Sequence, residues 1–291
     1  MSDADFGDRP WGLVTLSVAS AREKPDHKAE LGTQIPLGQA VRLLRAEGLW
    51  LFVEAPSGYR AWIESGTIVR ATAAQVESWN GGPLVIVTAT EAVVYSKPDR
   101  ASDPVGDVVI GNLLTGGTSG PRWREVSFPD GRSGFVEADA VTDHASWRRQ
   151  PPPTAARIEA TARRFLGRPY LWGGNTPKGL DCSGLTQLVF GLNGISLPHQ
   201  ASQQATRGMA VPLDPEARSF RAGDLLFFGR AAGPESGEKV VHVGIYLGDG
   251  RVLHASERVH LAPLDELVSR RGGNGKFTLL HARRLLPAAA P

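Results

Sequence analysis

Short runs of alternating apolar and polar residues dominate the first half of the chain. They include Ala40–Leu44, Trp50–Glu54 and Tyr59–Ile63, and such alternation is typical of strands that bury one face. Turn-forming stretches such as Pro56–Gly58 and Pro129–Gly131 separate the runs. About four or five short strands in roughly seventy residues predict a small all-β barrel, closed or nearly closed.

The first half also repeats itself at a constant offset of 73 residues, as from Trp50 to Trp123. A unit this long can close its own core, so each copy is predicted to be one domain. The expected domains are residues 1–78 and 79–146. Further pairs at this offset are Lys24–Asp26 with Lys97–Asp99, Gly38 with Gly111, Val53 with Val126, Gly58 with Gly131, Trp62 with Phe135 and Glu64 with Glu137.

A proline-rich stretch, residues 147–154, separates the repeat from the rest of the chain. Three consecutive prolines cannot join a helix or a central strand, which predicts a stiff, extended linker. Thr154 is the expected N-cap of a helix over Ala155–Leu166, which Gly167 ends. The third domain is therefore expected at residues 155–291.

This third domain is predicted to be α+β. A second helix is expected after Asp181, its N-cap, with Leu185, Leu188 and Val189 on one buried face. Strand-like runs follow it, and Gly248–Gly250 marks a hairpin turn. The predicted strands are Gly223–Gly229, Val240–Leu247, Arg251–Ala255 and Lys276–Leu280.

The only cysteine, Cys182, falls in the first turn of the second predicted helix. Unpaired N–H groups and the positive end of the helix dipole favour a thiolate there, the form that attacks carbonyl groups. His242 lies on one predicted hairpin strand and His254 on its partner. Facing positions across an antiparallel pair lie about 5 Å apart at Cβ, so the two imidazoles are expected to adjoin. These residue types supply a nucleophile, a base and an orienting group.

Each of these residues has a plainer interpretation when it is taken singly. A lone cysteine is commonly a packed core residue, and a histidine on an apolar strand is commonly hydrogen-bonded in the core. The combination favours a catalytic function, because one mechanism uses Cys182, His242 and His254 together. The remaining histidines are interpreted as structural or surface residues: His27, His144, His199, His260 and His281.

Composition narrows the class of protein. The 291-residue chain has a net charge of +2, and its scattered Lys and Arg disfavour nucleic-acid binding. It has no apolar stretch of about eighteen residues, so no membrane insertion is expected. One cysteine permits neither an internal disulfide nor a cysteine-built zinc site, and no cofactor or metal is expected. The acidic Met1–Phe6 favours a cytoplasmic location, or a secreted or periplasmic one if a signal peptide has been removed.

Several C-terminal segments resemble the signature motifs of the NlpC-type cysteine peptidases, which have a papain-like fold. The resemblance covers residues 155–286 and keeps the order of the motifs. It implies that Cys182 is the nucleophile, His242 the base and His254 the polar third member. The matching segments are Tyr170–Gly174, Asp181–Gly184, Gly223–Phe228, His242–Tyr246 and Val252–Ser256.

The two repeat copies resemble bacterial SH3-like domains, with a central Trp50 and a strand of the expected kind at Gly58–Trp62. Tandem domains of this kind precede the peptidase in the γ-D-glutamyl-diamino-acid endopeptidases. The resemblance therefore implies a thiol peptidase that cleaves the γ-D-glutamyl–diamino acid bond of peptidoglycan-derived peptides. It also implies a role in recycling short, released muropeptides.

The same resemblance implies residues that hold the substrate. Tyr59 of the first copy, with Glu30 as a weaker candidate, is expected to narrow the cleft so that only peptides with a free N-terminal L-alanine fit. Asp181 is expected to supply the charge that pairs with this ammonium, because burying an ammonium unpaired is costly. Ser183 and Tyr170 are expected as neutral hydrogen-bond partners, and Tyr170 also as a helper at the oxyanion.

Two positions bear on this specificity. Relatives that share it often carry an Arg-Asp pair followed by Ser or Ala, whereas this chain reads His199–Ala201. Gln200 can accept a hydrogen bond from an ammonium but brings no negative charge, so selectivity for an amine is relaxed or rests on Asp181 alone. Arg132 stands in the second copy where the first has Tyr59, so the copies need not share a role.

Other functions fit part of the pattern. A zinc hydrolase would use His242, His254 and Asp181 as ligands, although their spacing is not that of the common zinc motifs. A wall-binding protein without activity would not be expected to keep all three residues of the thiol set. An amidase or acyltransferase on the same thiol scaffold stays open, as does a secreted wall-remodelling enzyme.

Overall fold

The computed structural model describes residues 6–214, 218–234, 236–268 and 278–287. The chain forms two compact units, Met1–Gln150 and Pro151–Pro291, and the boundary lies inside the proline-rich stretch. Among the described residues, no helix has both the length and the apolar character needed to span a bilayer.

The first unit is built of strands that repeat at the spacing found in the sequence. The first copy contains β1 (Trp11–Val14), β2 (Val18–Arg22), β3 (Leu31–Pro36), β4 (Ala40–Glu47), β5 (Trp50–Glu54), β6 (Arg60–Glu64) and β7 (Ile68–Ala71). The second contains β8 (Leu84–Val87), β9 (Glu91–Tyr95), β10 (Pro104–Val109), β11 (Leu113–Ser119), β12 (Trp123–Ser127), β13 (Ser133–Glu137) and β14 (Val141–Asp143). Each strand of the second copy begins 73 residues after its counterpart. Seven strands in the described part of each copy replace the smaller number predicted.

The two copies also share one topology. The sheet of the first copy has the order β3-β2-β6-β5-β4-β1-β7, and the second has β10-β9-β13-β12-β11-β8-β14, which is the same order of equivalent strands. Alternating side chains such as Val41 and Leu43, or Val53 and Leu51, are buried in the first core. The all-β prediction is therefore confirmed, while closure of each sheet into an SH3-like barrel stays a prediction.

Side-chain and backbone contacts join the two copies into one unit. Leu37 of the first copy is fully buried in the core of the second. Asn112, itself fully buried, donates from Nδ2 to the carbonyl oxygen of Ser17 at 3.0 Å. Arg132 donates from Nη2 to the carbonyl oxygen of Thr15 at 2.7 Å. The arginine that distinguishes the second copy thus fastens it to the first.

Two helices of the first unit lie at the expected domain boundaries, α1 (Ala73–Gly81) and α2 (His144–Arg148). The boundary predicted after residue 78 therefore falls inside α1. Trp147, predicted as part of the linker, packs against a buried cluster of the second copy. Residues 150–154 carry neither helix nor strand, so the extended linker is shorter than expected.

Within its described residues, the second unit combines four helices with an antiparallel sheet, as the α+β prediction requires. Its elements are α3 (Ala155–Arg163), β15 (Asn175–Thr176), β16 (Gly179–Leu180), α4 (Cys182–Gly191), α5 (Ala201–Gln204), β17 (Met209–Val211), β18 (Leu225–Arg230), β19 (Lys239–Gly248), β20 (Arg251–Ser256), β21 (Arg258–Pro263), α6 (Leu264–Leu267) and β22 (Thr278–Arg284). The main sheet has the order β17-β22-β18-β19-β20-β21. Helix α4 packs against β19 and β20 at its centre.

Most predicted elements of this unit are present with shifted ends. The side chain of Thr154 caps α3, which ends at Arg163 rather than Leu166. The first two residues of the predicted strand Lys276–Leu280 lie outside the described residues, and β22 continues to Arg284. Strands β17 and β21, which lie at the two edges of the main sheet, were not predicted.

Candidate active site

Asp181 caps the helix that carries the cysteine. Its Oδ1 accepts hydrogen bonds from the Gly184 N–H at 2.6 Å and the Ser183 hydroxyl at 3.0 Å. Its Oδ2 accepts a hydrogen bond from the Gly173 N–H at 2.9 Å. The predicted N-cap is therefore confirmed, and the same carboxylate ties the preceding loop, Tyr170–Gly174, to the start of α4.

Cys182 is the first residue of α4, and its side chain is buried. Burial raises the pKa of the Cys182 thiol to about 12, and the negative charge of Asp181 contributes to the rise. Hydrogen bonds from the backbone N–H groups of Val243, Ser183 and Cys182 itself oppose the rise, because they favour the thiolate. The net direction favours a neutral thiol in the free protein, opposite to the resting thiolate expected from the sequence.

His242 and His254 form a hydrogen-bonded pair. Nε2 of His242 lies 3.0 Å from Nδ1 of His254, and the two rings are nearly perpendicular at 88°. The expected adjacency is confirmed, but the two residues do not face each other. The register pairs His254 with Gly244, so His242 lies on the diagonal, from which side chains of this size still meet. Gly244 leaves room for this, since a Cβ there would lie 3.2 Å from Cβ of His254.

Burial keeps both imidazoles of this pair neutral. It lowers the pKa of His242 to about 4, and the charge of His260 lowers it further. Burial likewise lowers the pKa of His254 to about 3, with smaller contributions from His242 and His260. A neutral imidazole has one donor and one acceptor nitrogen. Because Nε2 of His242 is engaged by His254, its Nδ1 is the nitrogen that can exchange a proton with a substrate or a thiol.

A third histidine lies beside this pair. His260, on β21, is directly opposite His254, and their ring centroids are 4.4 Å apart. The sequence interpretation of His260 as an ordinary strand or loop residue missed this position, because β21 was not predicted. A signal was available, since Arg258–Pro263 alternates in polarity and follows β20 after Glu257, a single residue with φ of 59°.

The structure places Tyr170 and Ser183 close to the nucleophile. Tyr170 is half-buried, and its N–H donates to the carbonyl oxygen of Glu257 at 2.8 Å. Burial raises the pKa of its phenol, and the charges of Cys182 and Asp181 add to the rise. The phenol is thus within electrostatic reach of the sulfur. The Ser183 hydroxyl already donates to Asp181, so it is free to accept but not to donate.

Gln200 lies at the start of α5, a helix that packs against β19, the strand of His242. Its side chain is exposed, and its backbone N–H donates to Oε1 of Gln203 at 3.4 Å. The neighbouring His199 is buried. Gln204, which is fully buried, donates to the carbonyl oxygen of Ser183 at 3.0 Å and ties α5 to α4.

In the first unit, the structure brings Tyr59 together with two carboxylates. The Tyr59 hydroxyl donates to Glu23. Burial, then Glu23 and then the charge of Glu30 raise the pKa of Tyr59, so both acidic residues lie near it. Glu23 was missed from the sequence, although the repeat carried a signal. The second copy has Ser96 and Arg132 in place of the glutamate and the tyrosine, so both partners change together.

The residues of the alternative zinc site have other partners. His242 and His254 use their facing nitrogens on each other, and Asp181 accepts three hydrogen bonds from the protein. Across the ranges that the structure describes, no cluster of three or more His, Cys, Asp or Glu side chains is arranged to hold a metal ion.

A buried cysteine at a helix start, packed on an antiparallel sheet with a histidine pair, defines a papain-like cysteine peptidase. Residues 167–271 match the model of the NlpC/P60 family, and this stretch contains Cys182, His242 and His254. The chain belongs to the NlpC/P60 family of peptidoglycan hydrolases and endopeptidases.

The similarity extends beyond the peptidase domain. The Gamma-D-glutamyl-L-lysine dipeptidyl-peptidase of Bacillus subtilis (strain 168) is 30% identical over 231 residues, covering 77% of this chain and 71% of the relative. Its namesake from Bacillus cereus (strain ATCC 10987) is 28% identical over 247 residues, covering 81% and 71%. The crystal structure of an NlpC/P60 family protein from Bacillus cereus ATCC 10987 superposes with a TM-score of 0.79 at 26% identity, covering 95% of this chain and all of that chain.

Proposed function

We propose that this protein is an endopeptidase that hydrolyses the γ-D-glutamyl–diamino acid bond of peptidoglycan-derived peptides. The observation that carries the proposal is the arrangement of three side chains. Cys182 begins a helix that packs against the strand of His242, and His242 is held by His254 at 3.0 Å. The choice of bond is supported by relatives named Gamma-D-glutamyl-L-lysine dipeptidyl-peptidase, whose alignments are too long to fit within one unit.

In the first half of the reaction, the sulfur of Cys182 attacks the γ-carbonyl carbon of D-glutamate. His242 takes the thiol proton at Nδ1 as the C–S bond forms, because both partners start neutral. The carbonyl electrons move onto oxygen and give a tetrahedral oxyanion. The His242 imidazolium then gives the proton to the amine of the diamino acid, the C–N bond breaks, and a thioester remains.

In the second half, water attacks the thioester carbonyl while His242 accepts a proton from it. Collapse of the tetrahedral intermediate breaks the C–S bond and releases the peptide whose D-glutamate now carries a free γ-carboxylate, and the His242 imidazolium returns its proton to the Cys182 sulfur. The oxyanion forms twice, and the backbone N–H of Cys182 and the Tyr170 hydroxyl are its proposed donors. His254 accepts the Nε2–H of His242 at its Nδ1, so it orients the ring and stabilises the imidazolium, as the third member of a triad does.

The proposed substrate is a short, released peptide with a free amino terminus, as in cell-wall peptide recycling. Asp181 and Gln200 are the proposed partners of the ammonium on the peptidase unit, and Ser183 is a neutral acceptor beside them. Tyr59 and Glu30 of the first unit keep the role implied by the resemblance. We include in the proposal that the two repeat copies are SH3-like. The cytoplasmic location expected from the sequence stays a prediction.

The test of the bond is product identification. The tripeptide L-Ala-γ-D-Glu-L-Lys, or its diaminopimelate analogue, is incubated with the protein, and the fragments are identified by mass. The expected products are L-Ala-D-Glu and the free diamino acid. The Cys182→Ala variant should give none, and excess chelator should leave the rate unchanged. Cleavage between L-Ala and D-Glu, or a rate abolished by chelator, would overturn the proposal.

The test of the recycling role compares the free tripeptide with the same tripeptide attached to N-acetylmuramic acid. A free N-terminal ammonium on L-alanine is present only in the first, so the proposal expects a higher kcat/KM for the free form. Preference for the attached peptide would instead favour a secreted enzyme that remodels the wall.

A further inference from the structure

His254 has a second histidine neighbour that the proposed mechanism does not use. Strands β20 and β21 pair antiparallel, and His260 is the direct partner of His254. Their ring centroids lie 4.4 Å apart and the rings are tilted by 55°. This separation and tilt describe a contact between ring faces and edges, unlike the nitrogen-to-nitrogen hydrogen bond between His254 and His242.

The Nε2 nitrogen of His254 is shielded from solvent. Its Nδ1 is engaged by His242, whereas its Nε2 is buried and has no hydrogen-bond partner among the residues that the structure describes. When His242 takes the thiol proton at Nδ1, its Nε2–H must point at an acceptor. Nδ1 of His254 can accept only if His254 is neutral and carries its proton at Nε2. The reaction therefore needs the tautomer of His254 that carries its proton on the buried Nε2.

The orientation of the His260 ring is fixed from its other side. Its Nδ1 lies 3.0 Å from the carbonyl oxygen of Arg258. A carbonyl oxygen only accepts, so Nδ1 is the donor and the neutral ring carries its lone pair at Nε2. The side chain of His260 is half-buried, whereas His254 beneath it is 2% exposed. The ring of His260 is thus in contact with His254 and is the more exposed of the two.

We propose that His260 is a positioning residue of the active site. Its ring covers Nε2 of His254, keeps water from that nitrogen, and so holds His254 neutral with its proton on Nε2, ready to accept a hydrogen bond from His242. The inference rests on the proposed role of His254 in catalysis. In this proposal the ring of His260, and not its nitrogen atoms, determines the protonation state and tautomer of His254.

The sign of the effect follows from the groups around His254. His242 faces it from β19 and His260 from β21, while α4, which packs on β20, begins with Cys182 after its N-cap Asp181. Burial is the largest cause of the lowered pKa of His254, and the charges of the two histidines add to it. Loss of the His260 ring would admit water to Nε2 of His254. This change raises the pKa of His254, because hydration favours the charged imidazolium.

The experiment compares His260→Ala, which removes the ring, with His260→Phe, which keeps a ring without nitrogens. A protonated His254 cannot accept from His242, so His260→Ala should move the acid limb of kcat/KM to higher pH. Where that limb is crossed, a rise of about one unit lowers kcat/KM about tenfold. His260→Phe is expected to rescue the wild-type limb.

A readout that needs no substrate separates this inference from the proposed function. Long-range nitrogen–proton NMR spectra of His254 are recorded against pH, in the wild type and both variants. The wild type and His260→Phe should show a neutral ring protonated at Nε2, and His260→Ala should titrate at higher pH. The inference is overturned if His260→Ala leaves the tautomer and titration of His254 unchanged, or if His260→Phe behaves like His260→Ala. The spectra decide this even if the tripeptide is not a substrate. A well-dispersed spectrum shows that a variant is folded, and if His260→Ala misfolds, the comparison of His260→Phe with the wild type still tests the inference.

Discussion

Oδ2 of Asp181 accepts a hydrogen bond from the backbone N–H of Gly173 at 2.9 Å. The other oxygen of the same carboxylate caps the helix of the nucleophile. One side chain therefore fixes the start of α4 and the end of the loop that begins with Tyr170. A carboxylate offers about four lone-pair sites, and three are used within the protein. A substrate ammonium would take the remaining one.

Replacement of Asp181 by Asn tests this double role. Asparagine caps helices as well as aspartate does, so α4 should persist. The negative charge that raises the pKa of Cys182 is lost, and alkylation of Cys182 by iodoacetamide at pH 8 should become faster. KM for a peptide with a free ammonium should rise, and kcat should fall as one donor loses its acceptor. Asp249→Asn, in the exposed hairpin turn, is the matched control. Unchanged alkylation in Asp181→Asn would contradict the electrostatic account.

The alkylation of Cys182 should depend steeply on pH in the free protein. Its pKa is raised, to about 12, so the thiolate fraction grows as pH rises. The rate with iodoacetamide is expected to increase continuously between about pH 6 and pH 10. The label should appear once per chain, since the chain has one cysteine. A rate that reaches its plateau below about pH 7 would show instead a resting thiolate–imidazolium pair, and the free glutathione thiol is the reference reaction.

His242 and His254 should differ in how much activity their loss removes. His242→Ala removes the proton carrier, for which general acid–base contributions of about 10²–10⁴-fold are typical. His254→Asn keeps an amide that can accept from Nε2 of His242, so a loss of roughly tenfold in kcat is expected. Steady-state kinetics on the tripeptide measure both. If both variants lost only a small and equal part of kcat, the general base would have to be a residue other than His242.

The same two histidines predict acid sensitivity of the second unit. Their pKa values are lowered from 6.5 to about 4 and about 3, so the unfolded chain binds more protons below pH 6.5. The stability they contribute is complete above the unfolded pKa and is lost progressively as pH falls from 6.5 towards the folded values. Each should cost on the order of 2 kcal/mol by about pH 5. The free energy of unfolding is measured by urea titration at pH 7 and pH 5, with the accessibility of the Cys182 thiol as the signal for unfolding of the second unit. In His254→Asn the free energy of unfolding should depend less steeply on pH. Equal pH dependence in the variant and the wild type would contradict the lowered pKa of His254.

The helix start at Cys182 and the strands of His242 and His254 could be predicted because their signals are local. An N-cap aspartate, a hairpin turn and alternating apolar residues each act within a few residues. The diagonal placement of the two histidines could not, because register depends on how β19 and β20 pair rather than on either sequence alone. His260 was missed because β21 was not predicted, so the strand that places it opposite His254 was absent from the expected sheet.

In the first unit, the repeat carried more information than single positions did. An offset of 73 residues predicted both copies, and every strand start follows it. The number of strands was underestimated, because edge strands such as β3 (Leu31–Pro36) and β10 (Pro104–Val109) interrupt their apolar pattern with Gly and Pro. Glu23 shows what else a repeat offers, since the partner of Tyr59 is one of the positions at which the two copies differ together.

The role of Tyr59 gives the last prediction. Its hydroxyl donates to Glu23 and lies near the carboxylates of Glu23 and Glu30. If Tyr59 contacts the substrate ammonium, as the family resemblance implies, Tyr59→Phe loses a hydrogen bond of about 0.5–1.5 kcal/mol and raises KM for the free tripeptide about 2–12-fold with little change in kcat. The attached muropeptide has no N-terminal ammonium and should show no such change. Tyr95→Phe, a tyrosine of the second copy that packs edge-on against Trp123, controls for loss of a hydroxyl elsewhere. An unchanged KM for the free tripeptide in Tyr59→Phe would remove this residue from the substrate site.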